Sequence, residues 1–219
     1  LGASPAAVAA LVRESGLARV GDRLFDAGVV AALRDRVLAA VGEFHAARPL
    51  EPAVPTAALR ALAPASPPLL DQVVAALVRD GELAPGPAGV VRAGFAPELT
   101  PELARLAGAV VESLVTARLE PPTAAELALV LQADPVPVLR HLERQGEVVQ
   151  VADGWWFAKR PVEELVELLR VEMERDREYS PSELRERLGL SRKYLIPVLE
   201  YCDRVGVTTR VGNNRILRF

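Results

Sequence analysis

Ser191, Arg192 and Lys193 open a helix-forming run near the end of the chain, and Arg210 and Arg215 flank the turn Gly212, Asn213, Asn214 further on. Serine is a residue type that caps a helix, and the first-turn amides with the positive end of the helix dipole attract an anion. Lysine meets a phosphate as a point charge, whereas arginine can also chelate two acceptors or stack on a base. Glycine and asparagine tolerate positive φ at a tight turn, and asparagine amides both donate and accept hydrogen bonds. Such a set has no histidine or carboxylate to serve as a general base. It can clamp a nucleic-acid backbone and leave a few polar groups for bases. The plainer reading of the same residues is a solvated charged surface.

Charge partition favours the clamp. The chain has a formal net charge of -3, yet residues 161–184 carry three basic against eight acidic side chains, and residues 185–219 carry eight basic against three acidic. One terminal module therefore has an acidic back and a basic front, which suits a polyanion because phosphate contacts release counterions. Residues 1–160 carry 15 basic and 18 acidic groups, so no continuous nucleic-acid track is expected along them. The 24 arginines against two lysines are given no functional weight, since genome composition produces the same bias.

Other chemistry is excluded by what is missing from the sequence. His45 and His141 are the only histidines and Cys202 the only cysteine, too few for a metal cluster, a triad or a disulfide framework. No G-x-x-x-x-G-K-[ST] run provides a phosphate cradle for a nucleotide. No catalytic residue, metal ligand or cofactor is expected, and the chain is read as no enzyme. No apolar stretch approaches membrane-spanning length, and no signal segment opens the chain, so cytoplasm is the expected location. The chain starts on Leu1 without an initiator methionine and is read as part of a longer protein.

The elements that must hold the basic residues come from a repeat. "AVAALVRESGLARV", "QVVAALVRDGELAP", "PVLRHLERQGEVVQ" and "PVLEYCDRVGVTTR" align without gaps, each an apolar-periodic helix ending near a glycine. Those glycines, Gly16, Gly81, Gly146 and Gly206, stand where a helix end needs a left-handed residue. A hairpin follows each one, with Gly, Asn or Asp between two apolar-alternating runs. A long helix and a short one precede each complete unit. In the last unit the long helix is predicted from Pro161 to about Arg177. The short one starts at "SPSELRERLG", with Ser180 and Glu183 as a capping box, Pro181 at the first helical position and Gly189 at the end.

Three helices and a β-hairpin in about sixty residues make a winged helix, a helix-turn-helix with a wing. The fold class is mainly α with small β-wings: tandem winged helices, the first truncated. Residues 1–28 are read as a partial module with third helix and wing, 29–96 and 97–159 as complete modules, and 160–219 as a complete module that binds nucleic acid. Pro197 lies inside the third helix of the last module and Pro137 at the equivalent place before it, a packing feature. Tyr194 and Cys202 read as core, and His141 as packing or surface. Trp155 and Trp156 are adjacent in the third wing and point to opposite faces, so one is expected exposed and the pair to serve packing between modules.

The terminal run "SRKYLIPVLEYCDRVGVTTRVGNNRILR" resembles the C-terminal end of the bacterial selenocysteine-specific elongation factors, SelB, and the tandem winged helices resemble that family's C-terminal extension. The resemblance implies that the last winged helix grips the hairpin loop of a selenocysteine insertion (SECIS) element in messenger RNA, tethering a translation factor beside a UGA codon. Carried onto this chain, it implies Ser191, Arg192 and Lys193 at the helix start and Arg210, Gly212, Asn213, Asn214 and Arg215 in the wing as RNA-binding residues. It also implies GTPase domains that this chain lacks, with GTP and magnesium there, selenocysteyl-tRNA bound through them, the ribosome as partner, and a monomer. A winged-helix DNA-binding transcription regulator and a protein-interaction scaffold are the competing readings.

Overall fold

The computed structural model describes residues 16–20, 23–63 and 66–218. It divides into two compact units at Leu99/Thr100. The third helix of the partial first module falls on residues 1–15, outside the described residues.

In the unit before Thr100, β1 (Leu17–Val20) and β2 (Arg23–Asp26) form an antiparallel hairpin. The long helix α1 (Ala27–Ala47) follows at once, its start capped by the Asp26 carboxylate accepting from Val29 N–H at 3.1 Å. Then come β3 (Val54–Pro55), the short α2 (Thr56–Arg60), α3 (Pro67–Arg79) and the hairpin β4 (Leu83–Gly86) with β5 (Gly89–Arg92). β3 pairs with β5, so the wing is a three-stranded sheet in the order β3-β5-β4. The apolar stripe Leu33, Val37 and Val41 of α1 closes on Leu70, Val73 and Leu77 of α3, which turns the helical period of the sequence into one core.

In the unit from Thr100, three helices and a two-stranded hairpin occur twice, without a counterpart of the β3 strand. The third module has α4 (Pro101–Ala117), α5 (Ala124–Leu131), α6 (Val136–Gln145), β6 (Val148–Ala152) and β7 (Trp155–Ala158). The last has α7 (Lys159–Glu172), α8 (Pro181–Leu188), α9 (Arg192–Arg204), β8 (Thr208–Val211) and β9 (Asn214–Leu217). The tandem winged-helix class read from the repeat is therefore the class observed. All four repeat glycines are left-handed, at φ 68° for Gly16, 76° for Gly81, 77° for Gly146 and 79° for Gly206, where a Cβ would be strained. The capping box at Ser180 and Glu183 is formed, and Gly189 ends α8.

Two helix readings need correction. α7 begins at Lys159, directly after the β7 strand, and ends at Glu172 rather than near Arg177. Met173 leaves the helix in an extended conformation to enter the core, and Asp176 turns the chain at φ 63° so that Tyr179 can pair with Arg215 through backbone hydrogen bonds of 2.9 Å in both directions. Pro197 sits within α9, but its counterpart Pro137 lies in the first turn of α6, because α6 starts one turn later in the repeat. There the missing N–H costs nothing.

The third wing belongs to two cores. Val151 and Phe157 are buried in the cluster made by Leu165, Leu169, Leu195, Val198 and Leu199 of the last module. Trp156 faces back onto its own module, donating its indole N–H to Glu143 at 3.2 Å, while Trp155 donates to the Pro121 carbonyl at 3.0 Å and packs its ring 5.4 Å from that of Tyr194. The two tryptophans do point to opposite faces, but both faces are covered, so neither is exposed. Tyr194 is half-buried at this junction, His141 is buried, and Cys202 is fully buried with its thiol pushed up to about 12 by desolvation, too high to act as a nucleophile.

Candidate nucleic-acid interface

Helix α9 owes its orientation to Leu195, Val198, Leu199 and Cys202, an apolar stripe at the spacing of one helical face. Burying that stripe leaves Arg192, Ile196 and Glu200, four residues apart, along an outward face. Helix α8 buries Leu184 and presents Pro181, Ser182 and Arg185 beside them. The wing closes the third side with Arg210, Asn213 and Arg215. Together they line a groove of about 420 Å³. Arg192 and Arg215, from helix and wing, thus stand on one groove and not on opposite sides of the module.

The sequence-predicted residues divide on inspection. Arg192 is exposed at the groove rim and makes no ion pair among the described residues. Arg210 donates from Nε to the Gly212 carbonyl at 2.9 Å, which clips the guanidinium across the turn, and the residue stays exposed. Gly212 supplies the turn at φ 59°, and Asn213 lines the groove. Asn214 is occupied elsewhere, its amide donating to Glu178 at 2.8 Å. Ser191 is exposed in extended conformation before α9, yet its side chain makes no capping hydrogen bond, so the expected serine cap is not formed. Tyr194 N–H donates to the Ser191 carbonyl at 3.1 Å, and the hydroxyl and the amides of Arg192 and Lys193 are left to solvent or to a ligand.

Arg215 and Lys193 differ most from expectation. Arg215 is only 3% exposed, with Nε 3.3 Å from Asp203 Oδ2 and Nη1 3.4 Å from the Asn213 carbonyl. Thr208 Oγ1 donates to the other Asp203 oxygen at 2.6 Å. Arg215 is therefore a neutralised strut under the wing and not a free cation at its tip. The reason is register: Thr208 and Arg215 lie on the hairpin face that packs on α9, within reach of the Asp203 carboxylate. Lys193 does not line the groove. Its Nζ lies 3.8 Å from Glu126 of the third module, 5.4 Å from the centre of the Trp155 ring and 5.1 Å from that of Tyr194.

Arg185 was not singled out in the sequence, although the charge boundary at 184/185 includes it. It makes no ion pair among the described residues, and with Arg192 and Arg210 it gives the groove three guanidinium groups besides the paired Arg215, against one carboxylate, Glu200. The spacing of Ile196 and Glu200 from Arg192 would have found those two. Charged rims with Leu195 and Ile196 beneath can hold phosphates at the edge and an unstacked base over an apolar floor. The third module has no such site at equivalent positions, 60 residues earlier, where Gln132, Gln150, Asp153 and Trp155 stand in place of Arg192, Arg210, Asn213 and Arg215. Among the described residues no cluster of His, Cys, Asp or Glu could hold a metal, and no helix is long and apolar enough to cross a membrane.

The family model described as "Elongation factor SelB, winged helix" matches residues 172–217, the segment that carries the groove. A selenocysteine-specific elongation factor from Desulfomicrobium baculatum is 28% identical over 205 residues, covering 90% of this chain and 32% of that protein. The chain thus spans about a third of that relative's length. The crystal structure of a bacterial selenocysteine-specific elongation factor, EF-Sec, matches all of the chain at 16% identity with a TM-score of 0.54, covering 34% of that structure, and shows the fold. The mRNA-binding domain of elongation factor SelB from E. coli, solved in complex with SECIS RNA, is 25% identical and covers 53% of this chain and 99% of that one, with a TM-score of 0.44. The resemblance read from residues 191–218 is borne out by the family match over the same module.

Proposed function

We infer that this chain is the C-terminal, messenger-RNA-binding part of a selenocysteine-specific elongation factor, and that its last winged helix binds the loop of an RNA hairpin, the selenocysteine insertion element. The observation that carries this reading is the convergence of Arg185, Arg192, Arg210 and Asn213 on one groove of the module matched by the family model. RNA loops offer splayed bases and an irregular backbone, and a short cationic groove with an apolar floor fits both. A duplex DNA reader would want a recognition helix laid along a major groove, usually from a dimer. Here α9 is covered on one side by the third wing, whose Gln150 and Val151 carbonyls accept from Arg204 Nη2 at 2.8 and 3.2 Å.

The remaining parts of the reading follow from the family resemblance. The chain itself is no enzyme; GTP and magnesium belong to domains outside it, as does selenocysteyl-tRNA. The ribosome is the platform on which both ends work, in the cytoplasm, with the chain acting as a monomer. Modules upstream of the last serve as the span between the GTPase body and the RNA.

Titration of a fluorescein-labelled RNA stem-loop carrying the insertion element, beside a DNA duplex of equal length in the same salt, tests the reading. The hairpin is expected to bind more than about tenfold tighter, the size of a modest specificity ratio over phosphate attraction alone. Equal affinity for the two nucleic acids would contradict it.

A further inference from the structure

We propose that Lys193 is a positioning residue, held by the third module, and not a phosphate contact: it fixes the first turn of the recognition helix α9 so that Arg192 faces the groove. The inference rests on the RNA-hairpin reading above and adds a role for the third module in it. Lys193 and Arg192 are adjacent, so their side chains leave the helix about 100° apart and point in different directions. The geometry settles which faces where. Arg192 lines the groove; Lys193 points at the third module.

The receiving site is built. The Glu126 carboxylate is fixed by the capping box of α5, with Oε2 accepting from Thr123 N–H at 2.7 Å and from Thr123 Oγ1 at 3.0 Å. Those two bonds hold its carboxyl below the usual carboxylate range, so it is ionised at neutral pH. Its other oxygen, Oε1, is left for Lys193 at 3.8 Å. Trp155 is pinned by its bond to Pro121 and packs against Tyr194, and the two rings present faces to the lysine ammonium at 5.4 and 5.1 Å. A half-exposed ion pair alone is weak in water. An ammonium set between a fixed carboxylate and two fixed rings has a defined place.

The test uses the whole chain and a labelled RNA stem-loop, with affinity measured across a range of salt concentrations. Lys193→Met is expected to weaken binding about fivefold, the effect of losing one such ionic and cation–π contact. The slope of affinity against salt stays unchanged, because no phosphate contact is lost. Glu126→Gln gives a similar loss, the double variant loses no more than Lys193→Met alone, and Lys193→Arg restores affinity. In a Trp156→Phe background, Lys193→Met also shifts Trp155 emission without RNA. A salt slope reduced by about 0.7 or more in Lys193→Met would assign Lys193 to a phosphate and overturn the inference. So would tighter binding by Glu126→Gln, or Trp155 emission indifferent to Lys193. A parent chain that binds no hairpin overturns the RNA reading, and this inference with it; a parent that binds while the Lys193→Met slope flattens overturns this inference alone.

Discussion

Arg192→Ala is expected to weaken binding of the RNA hairpin about thirtyfold, since a hydrogen bond to a charged group contributes about 2 kcal/mol. The slope of log affinity against log salt falls by about 0.7 to 0.9 in the same variant, the signature of one lost phosphate contact. Arg185→Ala and Arg210→Ala behave alike, because all three guanidinium groups line the groove without an ion-pair partner among the described residues. Arg192→Lys separates charge from geometry. It keeps the salt slope but recovers only part of the affinity, since an ammonium cannot chelate two acceptors. Arg170→Ala is the control: that side chain pairs with Glu167 at 2.6 Å on the acidic α7 and leaves binding unchanged. Isothermal or anisotropy titration at three salt concentrations measures all of this. Unchanged binding in each of the three groove variants would sink the assignment.

Arg215→Met is expected to act on stability instead. The change leaves Asp203 with Thr208 as its remaining side-chain partner beneath the wing. Breaking a buried pair from one side costs about 3 kcal/mol, which for a unit the size of Thr100–Phe219 lowers the melting temperature by roughly 10 °C. Pairing Arg215→Met with Asp203→Leu removes both charges and recovers most of the loss. Well below the melting temperature, the salt slope of RNA binding in Arg215→Met stays at the parent value. A parent-like melting temperature together with a reduced slope would return Arg215 to the role of phosphate contact.

The fold was legible because its signals are local. A helix ending in a left-handed glycine, a hairpin turn and a capping box are each written within a few neighbouring residues, and Gly146, Gly206, Ser180 and Glu183 behave as their types dictate. The site was half legible for the same reason. Arg192, Arg210 and Asn213 face outward because the apolar stripe of α9 and the turn at Gly212 fix their directions. The burial of Arg215 was not legible, because it depends on Asp203, twelve residues away on another element. The contact of Lys193 with Glu126 was not legible, because Glu126 lies in a different module, which no periodicity within α9 can reveal. The expected exposed tryptophan failed likewise: strand alternation was right, but it says nothing about what covers the second face. Arg185 was not legible as a groove residue because it lies on the short helix α8, whose place beside α9 is set by tertiary packing and not by a local pattern.

Backbone-amide mapping by NMR, with the RNA stem-loop titrated into isotope-labelled whole chain, tests the central claim most directly. Chemical-shift changes are predicted to concentrate at Arg185, Arg192, Ile196, Arg210 and Asn213, the residues around the groove of the last winged helix. Changes confined to the unit before Thr100, or to the exposed Leu129 and Val130 of the third module, with the groove silent, would contradict it.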